Sequence, residues 1–276
     1  MNNWFQTSQA ETLFDHSIRV EQEECSCLAH VQGCSWTKRA IVQGGPYIKD
    51  EFKLSNGAVI TMMQQMRNEA IQQHCIYAEM RCYDDYSSYR LSFEQAGWVY
   101  QPHYDVLIYP MRDIPEAKMR QINNAIRIGY SWHEAKNAEE VNAFYKCLKY
   151  LYRTKVHRPL PKESFFLSAW QQGVKVLVTV NRKGEIIGGV LMPVMEEKAY
   201  EWYICGQVMS TWSMIEYSRL HNIQCIDMMG AGEPGIPYGV RDFKLQMGGE
   251  LKEWGRYICI LKPWIYQLGK KVITKI

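Results

Sequence analysis

The sequence lacks most of the short signatures that announce a chemistry. It has no GxSxG and no Walker loop, so serine-type hydrolysis and nucleoside-triphosphate chemistry find no support in it. Its nine cysteines are scattered, with no CxxC, no HxxxH and no Cys/His quartet, which removes the usual zinc-ligand spacings. No apolar run approaches the roughly 18 residues that span a bilayer. The N-terminal MNNWFQTSQAETLF has no basic segment leading into an apolar one, so no signal peptide is expected. Charge of one sign is also scarce. The net charge is +3 over 276 residues, whereas a dedicated DNA binder carries a basic stripe; a transient contact with RNA stays compatible with it. Unpaired, scattered thiols point to a reducing compartment and hence to the cytoplasm. Cys25 and Cys27, two apart on one face of a strand, read as core packing.

What is present is a globular composition, 47% hydrophobic with 18 tyrosines and nine tryptophans, enough for one large core or two of ordinary size. The same order of elements occurs twice. The first half opens with a helical stretch at 8–16. Strands follow at 25–31 and 38–42, a glycine-proline break at 44–46, and an amphipathic helix over 58–73 with Val59, Met62, Met63, Met66 and Ala70 at three- and four-residue steps. A strand at 76–80, a helix at 86–96, a stop at Gly97 and a long strand at 98–109 complete it. The second half repeats the pattern with strands at 174–180, 186–194 and 200–204, a helix at 211–221, a strand at 224–228, a short helix at 240–247, a double glycine and a strand at 253–261. Helices lie between the halves. One begins at Pro115, with Met119, Ile122 and Ile126 on one face; one is capped at Asn137 with Glu140 in capping-box position; a third covers 162–170. Both halves read β-β-α-β-α-β. The expectation is two α/β (α+β) domains, 1–112 and 113–276, each a mixed, largely antiparallel sheet flanked by helices, with the chemistry in the second.

The densest segment is MMGAGEPGIPYGVRDFKLQMGGEL, residues 228–251. Gly230, Gly232 and Gly235 satisfy GxGxxG formally, but Pro234 and Pro237 interrupt the turn into a helix that a dinucleotide fingerprint requires. These glycines either let backbone approach a ligand or permit a tight turn. Arg241 and Lys244 share one face of the short helix beside Phe243. Like charges so placed call for an anionic ligand or an acyl oxygen, or else mark a solvated face neutralised by Asp242 and Glu250. Alternation along 200–203 puts Glu201 and Tyr203 on one side of a strand, an acid and a phenol for a cleft, with Glu201 either a general base or an ordinary strand glutamate. Arg81, Asp84 and Asp85 follow a strand's C-terminal end, where ligands gather in open α/β sheets and where aspartates also simply form turns. The tail LKPWIYQLGKKVITKI is basic and amphipathic, and either docks on the domain or rests on an anionic membrane surface.

YEWYICG (200–206), the 228–251 segment, KYLYRTKVHRPLP (149–161) and IYAEMRCYDDYSSYRLSFEQAGW (76–98) together resemble the Fem-type peptidoglycan bridge-forming aminoacyltransferases of the GNAT superfamily. The resemblance covers nearly the whole chain and is strongest from residue 113 onward. It implies two tandem GNAT-like domains and transfer of an amino acid from aminoacyl-tRNA to an amine of a muropeptide or lipid-linked cell-wall precursor, with no metal and no cofactor. The family's Phe-Lys pair falls on Phe243 and Lys244, so that Lys244 would stabilise charge on the aminoacyl ester. Its substitution by alanine is then expected to abolish transfer at little cost in stability. Tyr203 and Glu201 complete the catalytic candidates. Arg241, Tyr238, Tyr152, Lys155, Arg158, Arg81 and Asp84 are the substrate-binding candidates, and Gly206, Gly230 and Gly232 those of the donor loop. The stretch after Gly206 (QVMST) is several residues shorter than in such proteins and lacks the Q/R-x-x-G-x-G/A pattern of acetyl-CoA enzymes. An acyl-CoA-dependent N-acyltransferase is therefore the second reading, and a catalytically silent glycan- or peptide-binding relative the third.

Overall fold

The computed structural model describes residues 3–49 and 55–273. The chain divides into two compact units, 1–104 with 253–276, and 105–252. This division differs from the expected boundary near residue 113 at both ends. The expected strand over 98–109 is two strands, Val99–Gln101 and Asp105–Ile108, one in each unit. Pro102 lies in the break, where its missing N–H cannot continue a ladder. The C-terminal strand Arg256–Ile260 joins the first unit's sheet, antiparallel to both Tyr77–Cys82 and Val99–Gln101.

The first unit is built on a sheet ordered Ser17–Glu21, Cys25–Gln32, Arg39–Gly44, Tyr77–Cys82, Arg256–Ile260, Val99–Gln101, with Tyr47–Ile48 pairing off Cys25–Gln32. Arg39–Gly44 and Tyr77–Cys82 run parallel; the other pairs are antiparallel. The helix Asn56–Gln72 starts where Ser55 accepts a hydrogen bond from the Ala58 amide, and it buries Val59, Met62, Met63, Met66 and Ala70, the stripe expected from its periodicity. These flexible thioethers pack with Cys27, Ala78, Met80, Trp98 and Tyr257 into one core. Cys25 and Cys27 are buried there, and burial pushes the Cys25 thiol up to about 11.

The second unit has two sheets. One is ordered Val194–Met195, Lys198–Tyr200, Cys225–Gly230, Asp105–Ile108, Glu250–Lys252; the other Tyr203–Cys205, Ile186–Met192, Lys175–Val180, Ser131–Glu134. The continuous strand expected over 200–204 does not exist. Lys198–Tyr200 runs parallel to Cys225–Gly230 in the first sheet, the chain crosses at Glu201 and Trp202, and Tyr203–Cys205 pairs with Ile186–Met192 in the second. The two sheets thus part at Glu201. Around them lie the helices Glu116–Arg127, Ala138–Leu151, Glu163–Gln171, Gln207–Leu220 and Gly239–Gln246. Glu116–Arg127 buries Ile122 and Ala125 and leaves the expected face residue Ile126 exposed. Asn137 caps Ala138–Leu151 by accepting from the Glu140 amide at 3.0 Å, but the Glu140 carboxylate takes the Lys136 N–H instead of closing the capping box. A π turn, Tyr152–Val156, ends that helix.

Candidate active site

Lys244 rises from the short helix Gly239–Gln246, which the chain enters at Tyr238 after the glycine- and proline-rich loop. Its side chain does not face solvent beside Asp242 and Glu250. It is 4% exposed and forms an ion pair with Glu201, itself 8% exposed, at 3.2 Å. The same Nζ donates to the Met228 carbonyl and reaches the carbonyls of Gly230 at 3.3 Å and Met229 at 3.5 Å. Four acceptors therefore surround a group with three protons. Met229 holds a left-handed φ of +56°, a conformation uncommon for a residue with a side chain, and Asp227 braces it by accepting the Met229 amide at 2.8 Å. This bend turns the end of the strand so that successive carbonyls meet Lys244. Asp227 is buried in turn and paired with Lys198 at 3.2 Å.

Burial pushes the Glu201 carboxyl above the usual carboxylate range, Lys244 draws it back in part, and the negative charge of Asp227 adds to the rise. A carboxyl raised in this way takes up a proton more readily than one in water, as a general base requires.

The pair forms part of the wall of a cavity of about 560 Å³, within the size range of small-molecule pockets. Its lining joins Lys244 and Phe243 from one helix, Glu201 from the crossing, Ile204 and Gly206 from the strand end, and Leu151 and Lys155 from the end of Ala138–Leu151 and the π turn. The π turn brings Lys155 to the wall while leaving it exposed. Lys118 stands over the Phe243 ring at 5.0 Å, a cation–π contact that fixes its orientation.

The other candidates are placed differently. Tyr203 belongs to an aromatic group, with ring centroids 5.1 Å from Phe166, 5.6 Å from Trp202 and 6.5 Å from Tyr152. Burial raises the Tyr152 phenol, and the positive charge of Arg158 opposes that rise. Arg158 is exposed and does not line the cavity. Arg241 does not share a task with Lys244. Its guanidinium donates to the carbonyls of Ala231, Glu233 and Ile236, at 3.3, 3.1 and 2.6 Å, and clamps the loop. Gly232 has φ +82° and lies against the Tyr238 ring, so a Cβ there would sit 3.0 Å from it. Gly230 contributes its carbonyl to Lys244. Arg81 and Asp84 belong to the first unit, where Arg81 is tied to Glu79 at 3.1 Å.

The expected donor loop after Gly206 is not a loop. The helix Gln207–Leu220 begins at the next residue, four positions before its expected start, and Gly206 is its N-cap at φ +99°. A Cβ on Gly206 would lie 2.7 Å from Ser210 Oγ and 2.9 Å from Gly188 Cα. Only glycine serves where strand and helix meet so closely. Residues that sequence reasoning passed over include Cys147, Ile187 and Thr211 in the cavity wall, and Asp227 behind it. Asp227 carried a signal, a lone carboxylate inside the apolar strand Cys225–Gly230. The others carried none.

No family model and no curated protein matches the sequence. Solved structures do match. FemX superposes with a TM-score of 0.70 over 96% of this chain and 94% of its own, at 11% identity. The fold is that of the Fem-type, tandem GNAT-like proteins. L-PGS from Bacillus licheniformis is similar at a TM-score of 0.62 and 14% identity, covering 89% of this chain and 84% of that one. A tandem GNAT protein from the clavulanic acid biosynthesis pathway is similar at 0.52 and 10%, covering 89% and 83%. Among the described residues, no group of three or more His, Cys, Asp or Glu side chains is placed to hold a metal ion. No helix among them is long and apolar enough to cross a membrane.

Proposed function

We propose that the chain is an aminoacyltransferase that moves an amino acid from aminoacyl-tRNA to an amine of a peptidoglycan precursor, in the cytoplasm and without a metal or cofactor. The observation that carries this reading is the buried Lys244–Glu201 pair on the wall of a cavity at the parting of two sheets, in a Fem-type GNAT-like fold.

The acceptor nitrogen attacks the ester carbonyl of the donor, forming the C–N bond and placing negative charge on the carbonyl oxygen. Glu201 accepts the proton that the amine sheds. Neutral Glu201 then holds Lys244 less strongly, which frees an Nζ–H for the oxyanion at the moment the charge appears. Donors of this kind contribute about 10²–10³ in rate. Collapse of the intermediate breaks the C–O ester bond, and the proton passes from Glu201 to the departing ribose oxygen. The carboxylate and its ion pair are restored.

The lack of a Q/R-x-x-G-x-G/A pattern after Gly206 favours this donor over acyl-CoA. The open cavity beside Lys244 favours an enzyme over a silent binding relative. A lipid-linked acceptor would also suit the tail. Trp264 and Leu268 are 86% and 64% exposed on one face of the helix Pro263–Ile273, and the sequence continues with Lys270, Lys271 and Lys275; residues 274–276 of this tail lie outside the described residues. Purified protein incubated with a fully charged tRNA pool and a soluble muropeptide tests the reading. Mass spectrometry is expected to find the muropeptide heavier by one amino acid. An unmodified muropeptide defeats it.

A further inference from the structure

The second half of the helix Ala138–Leu151 opens an unbroken run of positive charge. Residues 146–162 carry six cations, Lys146, Lys149, Arg153, Lys155, Arg158 and Lys162, and no Asp or Glu. The whole chain carries only +3, so everything outside this run is net negative. All six side chains are exposed, and none has a carboxylate partner among the described residues. The helix macrodipole accounts for a cation in the last turn, Lys149, but not for the four that follow it. A local stripe of this kind is the electrostatic footprint of a polyanion.

The stripe also carries a ring. Lys146, Lys149 and Tyr150 share one face of the helix, and the π turn Tyr152–Val156 continues the charge through Arg153 and Lys155. Tyr150 is 73% exposed and makes no ring contact among the described residues. Positive side chains interleaved with an exposed aromatic are what single-strand binders present to phosphates and bases. The stripe begins at the cavity. Lys146, Tyr150 and Lys155 belong to the wall that holds Lys244 and Glu201, whereas Lys149, Arg153, Arg158 and Lys162 lie outside it.

We propose that this stripe is the track for the single-stranded 3′ end of the donor RNA. The terminal nucleotide, which carries the ester, sits at the cavity beside Lys146 and Lys155. A base stacks on Tyr150, and the preceding phosphates lie along the remaining cations. The proposal deepens the aminoacyl-transfer reading and rests on it for the identity of the RNA. A single phosphate or carboxylate would answer one or two of the cations and leave the others. A lipid surface fits less well, because helices hold to lipid through an apolar face and Tyr150 is the one large hydrophobic side chain exposed on the stripe.

Fluorescence anisotropy with a labelled single-stranded RNA of about 12 nucleotides, titrated over a range of salt, tests the track. For the wild type, log Kobs is expected to fall against log salt with a slope of about −3 to −4, roughly 0.7 for each phosphate neutralised. The triple variant Lys149→Gln, Arg153→Gln, Lys162→Gln leaves the cavity wall intact. It is expected to lose about 2 from that slope and to bind at least about tenfold more weakly, with an unchanged melting temperature. Its KM for charged tRNA is expected to rise by a similar factor. Tyr150→Ala is expected to weaken binding about 5- to 100-fold with the slope kept, and Tyr150→Phe to retain the affinity. A folded triple variant with wild-type affinity and slope overturns the track, as does a stripe whose charges matter only for binding vesicles of anionic phospholipid. RNA binding through the stripe with no transfer from any charged tRNA keeps the track and overturns the transfer reading. Transfer whose KM ignores the triple variant overturns the track alone.

Discussion

Each unit contains a carboxylate held by cations, and the two arrangements behave in opposite ways. In the first unit Glu79 accepts from Arg81 at 3.1 Å and from Arg256 at 2.8 Å, across two paired strands. Burial alone would raise the Glu79 carboxyl, but the two guanidiniums outweigh it and hold it at about 2. The arginines keep 33% and 26% of their side-chain exposure, so the cluster stays hydrated at its edge and its carboxylate remains charged at any ordinary pH. In the second unit a single ammonium faces Glu201, both groups are almost wholly buried, and the carboxyl is raised. Two guanidiniums at an edge make a strand fastener. A carboxylate that faces one ammonium in the interior, beside a cavity, is the arrangement proposed above to accept a proton. Arg81, a substrate-binding candidate on sequence grounds, is part of the fastener.

The largest effect that separates the two clusters is expected from Lys244. Because Lys244 is buried and paired with Glu201, its loss is now expected to cost stability as well. Lys244→Met strands the Glu201 charge and is expected to cost about 3–5 kcal/mol, a fall in melting temperature on the order of 10 °C, together with transfer. Adding Glu201→Gln should recover much of the stability and none of the activity. A double variant no more stable than the single one would show that the pair is not the source of the loss.

Glu79→Gln comes next. The lowered Glu79 carboxyl contributes stability that is present above the unfolded value near 4.5 and lost as pH falls towards about 2. The variant is expected to lose about 2–3 kcal/mol near neutral pH and to show a flatter acid limb in denaturant titrations. An unchanged acid limb would break the contrast between the clusters. Gly206→Ala follows, with an expected loss of about 1–3 kcal/mol from the left-handed φ and the crowding against Gly188, measured by urea unfolding. The smallest effect concerns the tail. Trp264→Ala is expected to weaken co-sedimentation with anionic vesicles a few-fold and to leave transfer to a soluble acceptor unchanged. Equal binding to neutral vesicles would sever the tail from any anionic surface.

Most of the element order was legible because periodicity is local. The methionine stripe of Asn56–Gln72 and the cap at Asn137 needed no tertiary information. Elements that depended on the partner strand were not legible. The run at 200–204 alternates like one strand, yet the chain changes sheets at Glu201, so pairing Glu201 with Tyr203 on one face misplaced the tyrosine. Lys244 and Phe243 stood out through the resemblance, but no spacing rule told that Lys244 was buried or that its helix mate Arg241 was a clamp. Thr211 owes its place to packing alone, since a threonine in a helix signals nothing until its neighbours are known.

The chemistry assigned to the buried pair is tested most directly by single-turnover transfer from aminoacyl-tRNA to a soluble muropeptide, for wild type and Glu201→Gln, from acid to mildly basic pH. The wild type is expected to gain rate through a step lying above the ordinary carboxylate range. The folded variant is expected to run at least about 100-fold slower with no such step. Equal rates and equal profiles in the two proteins would contradict it.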